Sequence, residues 1–299
     1  MVAVDAPWAV RCDLGEGPYW DAAAARLSYV DIDAGIIHEL DPTTGDEERV
    51  SVEAPISFAI PVGGGGRKVC GTGVDLTLLD AAHREFGRRS VEPDRPGNRF
   101  NDGKADPAGR LWCGTMSLSR TTGAAALYRL DSSGLVTVTP AVTISNGLDW
   151  DVERQRMYYI DSPTQRIDVF DFDITTGGVE GRRPFATIDP DDGLPDGMTL
   201  DADGGVWVAL FGGAAVRRYD PDGSLSDVVG LPVTHPTCPV FGGPDLALLF
   251  VTTSRHKLTD GERAEQPLAG ALLVIDAGVR GRPGNIVSTS TAAAISPAA

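Results

Sequence analysis

The sequence predicts an all-β chain folded as a six-bladed β-propeller, with four antiparallel strands per blade around a central channel. Three observations carry this. The 36 glycines and 21 prolines are spread along all 299 residues, and the runs between them are short and rich in β-branched and aromatic residues. No long 3.6-residue periodicity appears, so the chain reads as many short strands. One strand–turn–strand unit recurs six times, at spacings that run from 41 residues (Ser28 to Val69) to 49 (Tyr158 to Trp207). That period is the length of a four-stranded blade; β-helix rungs are much shorter, and helical repeats need amphipathic helices.

In order along the chain, the recurring strand reads RLSYVD (26–31), RKVCGT (67–72), RLWCGT (110–115), RMYYID (156–161), GVWVAL (205–210) and LLFVTT (248–253). The turns before it are DAAAA, VGGGG, DPAG, DVERQ, DADG and GGPD. The strand after it ends in DPTTG (41–45), DAAHRE (80–85), DSSG (131–134), DITTGG (173–178), DPDG (220–223) or DAG (276–278). Asp and Pro open type I turns and Gly closes them, so these aspartates read as structural. Residues 1–284 then form a single propeller domain, with WAVRCDL (8–14) expected to pair into the last blade and close the ring. The stretch 285–299 lacks the pattern and is rich in small residues, which predicts a disordered tail or an added outer strand.

Composition narrows the function classes. With 42 acidic and 26 basic residues the net charge is −16, which repels phosphate backbones and anionic lipid. Neither a nucleic-acid nor a membrane-surface role is expected, and no apolar stretch approaches the ~20 residues that cross a bilayer. The first 13 residues lack the basic and apolar regions of a signal peptide. Cys12, Cys70, Cys113 and Cys238 are widely spaced, with no CxxC and no Cys/His cluster, so they read as reduced, buried thiols of a cytoplasmic protein.

The repeat also locates a site. Aligned on Ser28, Val69, Trp112, Tyr158, Trp207 and Phe250, the residue 11 or 12 places upstream is Glu16, Ser57, Asn101, Asn146, Asp196 or Cys238. Equivalent positions on innermost strands converge on the propeller axis. Two carboxylates and two carboxamides facing one point make a hard-oxygen site for a divalent cation. Ca²⁺, Mg²⁺ and Mn²⁺ suit such ligands, and Zn²⁺ also binds carboxylates. Without a cation, Glu16 and Asp196 would repel each other.

The motifs LGEGPYWD (14–21), RFNDGKADPAGRLWCGTM (99–116), SNGLDWD (145–151), PDGMTLDADGGVWVAL (195–210) and PTCPVFGGPD (236–245) resemble the regucalcin (senescence marker protein)/gluconolactonase/luciferin-regenerating-enzyme-like family, in order and over nearly the whole chain. The resemblance implies a six-bladed propeller that binds one divalent metal in its channel and hydrolyses sugar lactones. Matched motif by motif, it assigns the metal to Glu16, Asn146 and Asp196, and substrate contacts to Arg99, Asn101 and Asp102. Ser119, in SLSR (117–120), stands where the family often has a hydroxyl-binding Glu. That departure bears on which lactone is bound, because a buried hydroxyl would lose its acceptor. Arg120 beside it reads as outward-facing loop charge.

The chemistry so implied is hydrolysis of an aldonolactone to the open-chain acid, with the cation as Lewis acid, Asp196 as general base, and Arg99 and Asn101 orienting ring hydroxyls. A monomer or weak dimer acting on a small sugar lactone is expected. Two alternatives stay open: another ester or organophosphate hydrolase on the same scaffold, and a non-catalytic calcium-binding propeller. A serine esterase is not expected, since no GxSxG elbow occurs. His38, His83, His235 and His256 fall off the channel register, and a His235–Cys238 dyad lacks a third, orienting group.

Overall fold

The structure, a computed structural model, describes residues 3–295. Six four-stranded antiparallel sheets form the ring. Blades 1 to 5 each run outward from the axis in chain order. Their innermost strands are Gly15–Asp21, Ile56–Pro61, Asn98–Ala105, Ser145–Asp151 and Leu194–Leu200. Blade 6 is built from both ends of the chain. Pro236–Gly242, Leu248–Thr253 and Leu273–Asp276 supply three strands, and Val4–Asp5 supplies the outermost, with Val4 opposite Ile275 and Asp5 opposite Val274. Sharing a blade between the termini protects the edge that an open array would expose.

The closing strand is thus not the predicted 8–14. That segment lies between blades 6 and 1 and fastens them without forming a strand of blade 6. The Cys12 amide donates to the Gly270 carbonyl at 2.8 Å, and Arg11 Nε to the Pro267 carbonyl at 3.1 Å. The stretch after residue 284, expected to be disordered or an outer strand, instead packs over blades 2 and 3. Val287 exchanges backbone hydrogen bonds with Pro61 and Gly63, and a short helix, Thr289–Ala293, follows with Ser288 capping its start. Val287, Ala292 and Ile295 are buried against Val69, Leu111 and Leu130. A five-residue helix of Thr, Ser and Ala carries no readable periodicity, which is why its sequence looks featureless. Residues 296–299 of the expected tail lie outside the described residues. Among the described residues, no helix is long and apolar enough to cross a membrane.

The core lies between blades, where the inner two strands of each sheet are buried on both faces and the outermost strands are largely exposed. Trp112 and Trp207, both fully buried, anchor two of these layers, and truncating either to Ala would cost roughly 3–5 kcal/mol. Each indole is held by the aspartate of the turn before it, so those aspartates are structural as expected. Asp106 accepts from the Ala108 and Arg110 amides at 2.9 and 3.0 Å, from Arg110 Nη1 at 2.8 Å and from Trp112 Nε1 at 3.0 Å. In blade 5, Asp201 repeats this with the Asp203 and Gly205 amides, Trp207 Nε1 and Arg218 Nε.

Replacing Asp106 by Ala leaves the buried Arg110 guanidinium without its carboxylate, held only by the Ile174 and Thr175 carbonyls, and the Trp112 indole N–H unpaired. The expected cost is about 3–5 kcal/mol, measured as a lowered urea midpoint. A loss below about 1 kcal/mol would show that the turn holds without its carboxylate.

Candidate active site

Each of the six innermost strands breaks register with its neighbour near its channel-facing end. The slips fall between Glu16 and Tyr19, Ile56 and Phe58, Phe100 and Asp102, Asn146 and Leu148, Pro195 and Met198, and Pro236 and Cys238. Such bulges re-aim a side chain out of the alternating pleat. The residues at or beside the slips include Glu16, Asn101, Asn146 and Asp196, which accounts for their shared register in the sequence. The glycine that follows three of them has a steric cause. A Cβ on Gly147 would sit 2.6 Å from the Asp196 carbonyl, and one on Gly197 would sit 2.4 Å from Cys238 Sγ. Adjacent innermost strands meet there with no room for a side chain.

A cavity of about 280 Å³ opens over these residues. Glu16, Asn146 and Asp196 lie at its buried base, 7%, 5% and 7% exposed. Asn146 Nδ2 donates to Ser162 Oγ at 3.1 Å, and the Gly147 amide donates to Asn146 Oδ1 at 3.2 Å. Burial, then the neighbouring charges of Asp196 and Asp102, pushes the Glu16 carboxyl well above the ordinary carboxylate range. Asp196 is pushed up to about 8, mainly by burial and against an opposing hydrogen bond from Asn146. Neither carboxylate is within ion-pairing distance of a Lys or Arg among the described residues. Two sealed carboxylates and a carboxamide oxygen with no side-chain cation between them are a donor set that fits a hard divalent ion.

Of the expected substrate contacts, Arg99 and Asn101 line the same cavity. Arg99 Nη1 donates to the Phe100 carbonyl at 2.7 Å and to Asn101 Oδ1 at 2.9 Å, and Asn101 Nδ2 donates to the Ser145 carbonyl at 2.8 Å. The pair is therefore fixed before any ligand arrives. Asp102 is not on this wall. It faces the opposite end of the channel, in a hollow of about 70 Å³ with Lys104, Asp149 and Cys238, where burial raises its carboxyl to about 6. Adjacent residues of a strand point to opposite sides, so Asn101 and Asp102 part company at the bulge. Ser119 is also off the wall: it is exposed and shares hydrogen bonds with Ser117 and Thr121. Its neighbours Leu118 and Arg120, exposed as well, line the mouth of the cavity instead, so Arg120 is not only outward-facing loop charge.

Sequence reasoning missed the rest of the mouth. Asp33, His256 and Lys257 come from loops between strands and Phe211 from the end of one, all off the repeat register. His256 lines the cavity with Nδ1 2.8 Å from Asp33 Oδ2. A separate cluster was also unforeseen: Cys12, Asp31 and His38 come together from distant positions, with ligand atoms within 4.8 Å of one another. Both Asp31 oxygens there already accept backbone amides, from Asp13 and Leu14.

The family model described as "SMP-30/Gluconolactonase/LRE-like region" matches residues 14–255. The chain belongs to this family. It is 40% identical over 272 residues to a Bacillus subtilis protein named "Putative sugar lactone lactonase YvrE", covering 88% of this chain and 90% of that one. It is 38% identical over 279 residues to regucalcin of Xenopus laevis, covering 90% and 92%. Among solved structures, the calcium-binding protein regucalcin of Agrobacterium tumefaciens superposes with a TM-score of 0.91 at 29% identity, over 95% of this chain and 97% of that one.

For this SMP-30/gluconolactonase family member, the raised carboxyls at the base set the sign of a pH effect. The folded state retains protons on Glu16 and Asp196 that an unfolded chain releases near pH ~4. That contribution is full below the unfolded value and is lost as pH rises through about 8. Chelator-treated protein is expected to lose stability across this window, and saturating Ca²⁺ to restore it by several degrees of Tm at pH 8 and by much less at pH 5. An equal Tm rise at both pH values would count against a cation held by these two carboxylates.

Proposed function

We propose that this chain hydrolyses a sugar lactone to the corresponding aldonic acid. One observation carries the reading: Glu16, Asn146 and Asp196 are brought together at the base of a cavity whose wall presents the prefixed Arg99–Asn101 pair. Membership of a family with lactonase-named relatives supports it.

Glu16, Asn146 and Asp196 would hold one divalent cation, Ca²⁺, Zn²⁺, Mn²⁺ or Mg²⁺, which when bound supplies Lewis-acid polarisation of the lactone carbonyl. Asp196 accepts a proton from the attacking water as its oxygen bonds to the acyl carbon. The ring C–O bond then breaks and the proton passes to the departing alkoxide, leaving acid and hydroxyl. Only modest basicity is required of Asp196 in this step, because the cation it would hold also acidifies the attacking water. Arg99 and Asn101 orient the ring hydroxyls, with Asn101's amide anchored on the Ser145 carbonyl. Leu14, Ile32 and Ile144 on the wall limit water near the base. Four free, buried cysteines support a reducing compartment such as the cytoplasm, and the closed ring supports a monomer or weak dimer.

The Agrobacterium relative's description as calcium-binding favours a second reading, a propeller that binds the ion without turnover. Acid release from a panel of aldonolactones, with chelated protein and protein re-supplied with each metal, separates the two. Hydrolysis restored by metal supports the lactonase. In Asp196→Asn at saturating metal, kcat is expected to fall by at least about 100-fold, and full turnover in that variant would remove Asp196 as the base.

A further inference from the structure

The mouth of the cavity differs in charge from the rest of the molecule. The chain carries 16 more acidic than basic residues, and most of its arginines lie against carboxylates. Yet Arg99, Arg120 and Lys257 converge on one cavity, and none of the three is in an ion pair among the described residues. Lys257 and Arg120 also line an adjoining hollow of about 400 Å³, so they stand where the inner cavity meets the outer one. Their charges act on each other: burial and then the neighbouring Arg120 and Arg99 lower the Lys257 ammonium's pKa.

The carboxylates nearby are already engaged. Asp33 is 2.8 Å from His256 Nδ1. Glu262, in the outer hollow, accepts from the Thr259 amide and hydroxyl at 2.7 Å each. The 117–120 loop offers no acid, since Ser119 stands where relatives' resemblance leads one to expect Glu. With a divalent ion offsetting Glu16 and Asp196 at the base, the charged groups remaining on the wall are three cations and Asp33. Arg120 and Lys257 are also held at φ +54° and +65°, a backbone region where glycine would be unstrained and yet long cations stand.

We infer, resting on the lactonase reading, that the natural lactone carries a second anionic group, a carboxylate or a phosphate, which Arg120 and Lys257 hold at the mouth while the lactone carbonyl lies toward Asp196. Arg120 supplies a planar fork for two anionic oxygens and Lys257 a point charge. Both are specificity-determining residues, remote from the bond that breaks. The site would select a product carrying a second anionic group over a monoanionic one, and would do so less in high salt.

The test compares kcat/KM for neutral glucono-δ-lactone, 6-phosphoglucono-δ-lactone and glucaro-1,4-lactone, at low and at 0.5 M salt. The proteins are the wild type, Arg120→Gln, Lys257→Gln, the double variant, and the charge-keeping Arg120→Lys. An anionic lactone is expected to be preferred by about tenfold or more at low salt. That preference should fall by about tenfold in the double variant and survive in Arg120→Lys; which anionic lactone is preferred names the group. A wild-type ratio at or below one, or a ratio unchanged in the double variant, would overturn the inference. Calorimetric titration with gluconate and glucarate keeps the two readings separable. If no lactone is hydrolysed, the lactonase reading fails, while tighter glucarate binding lost in the double variant still supports an anion-holding mouth. Equal binding of the two acids would overturn it.

Discussion

Everything functional in this protein depends on a crowding problem at the axis of the ring. Six innermost strands approach until backbone meets backbone, as the space around Gly147 and Gly197 shows. The bulges that relieve this contact turn Glu16, Asn146 and Asp196 inward, and the packing that follows seals them from water. Two carboxylates so placed can be neutral, with their protons retained, or charged around a cation. On the proposed function, such a site sets protons against a metal, a competition that no exposed acidic cluster would face.

The two ends of the cavity solve opposite problems. At the base, negative groups lie close together and dry. At the mouth, Arg120 and Lys257 are exposed and positive. A neutral ligand would leave this polarity unused, whereas a ligand with charge at one end would be oriented by it before any short contact forms. Arg99 lies between these regions, and its bonds to Phe100 and Asn101 make it part of the wall.

The parts legible in the sequence are those set by the repeat. Glu16, Asn101, Asn146 and Asp196 could be aligned because every blade turns its innermost strand at one register, and Asp106 and Asp201 were legible as turn residues, their hold on the following tryptophan appearing only in the structure. The parts that escaped are set by contacts the repeat does not contain. Asp102 follows Asn101 directly, so only the pleat could say that it faces the other end. Ser119 and Arg120 are likewise neighbours, both exposed, and which of them borders the cavity depends on the turn of their loop. Lys257 and His256 lie on a loop of blade 6, where register has ended. Thr289–Ala293 is too short a helix for periodicity, and what holds this segment is packing on residues some 200 positions away, such as Val69.

Placing Val4–Asp5 in the last blade has a consequence for how the chain comes to be folded. Its partner strand, Leu273–Asp276, follows about 270 residues later in the chain. During translation, blades 1 to 5 can form in turn, each from contiguous chain, but blade 6 stays incomplete until Leu273–Asp276 has left the ribosome. Until then the base of the cavity lacks the flank that blade 6 provides, and two sheet edges stand exposed. A chain interrupted before residue 273 would be five finished blades with a free first strand, able to pair with the unfinished edge of another such chain. Synthesis past Asp276 is thus what separates a closed ring from a molecule prone to join its neighbours.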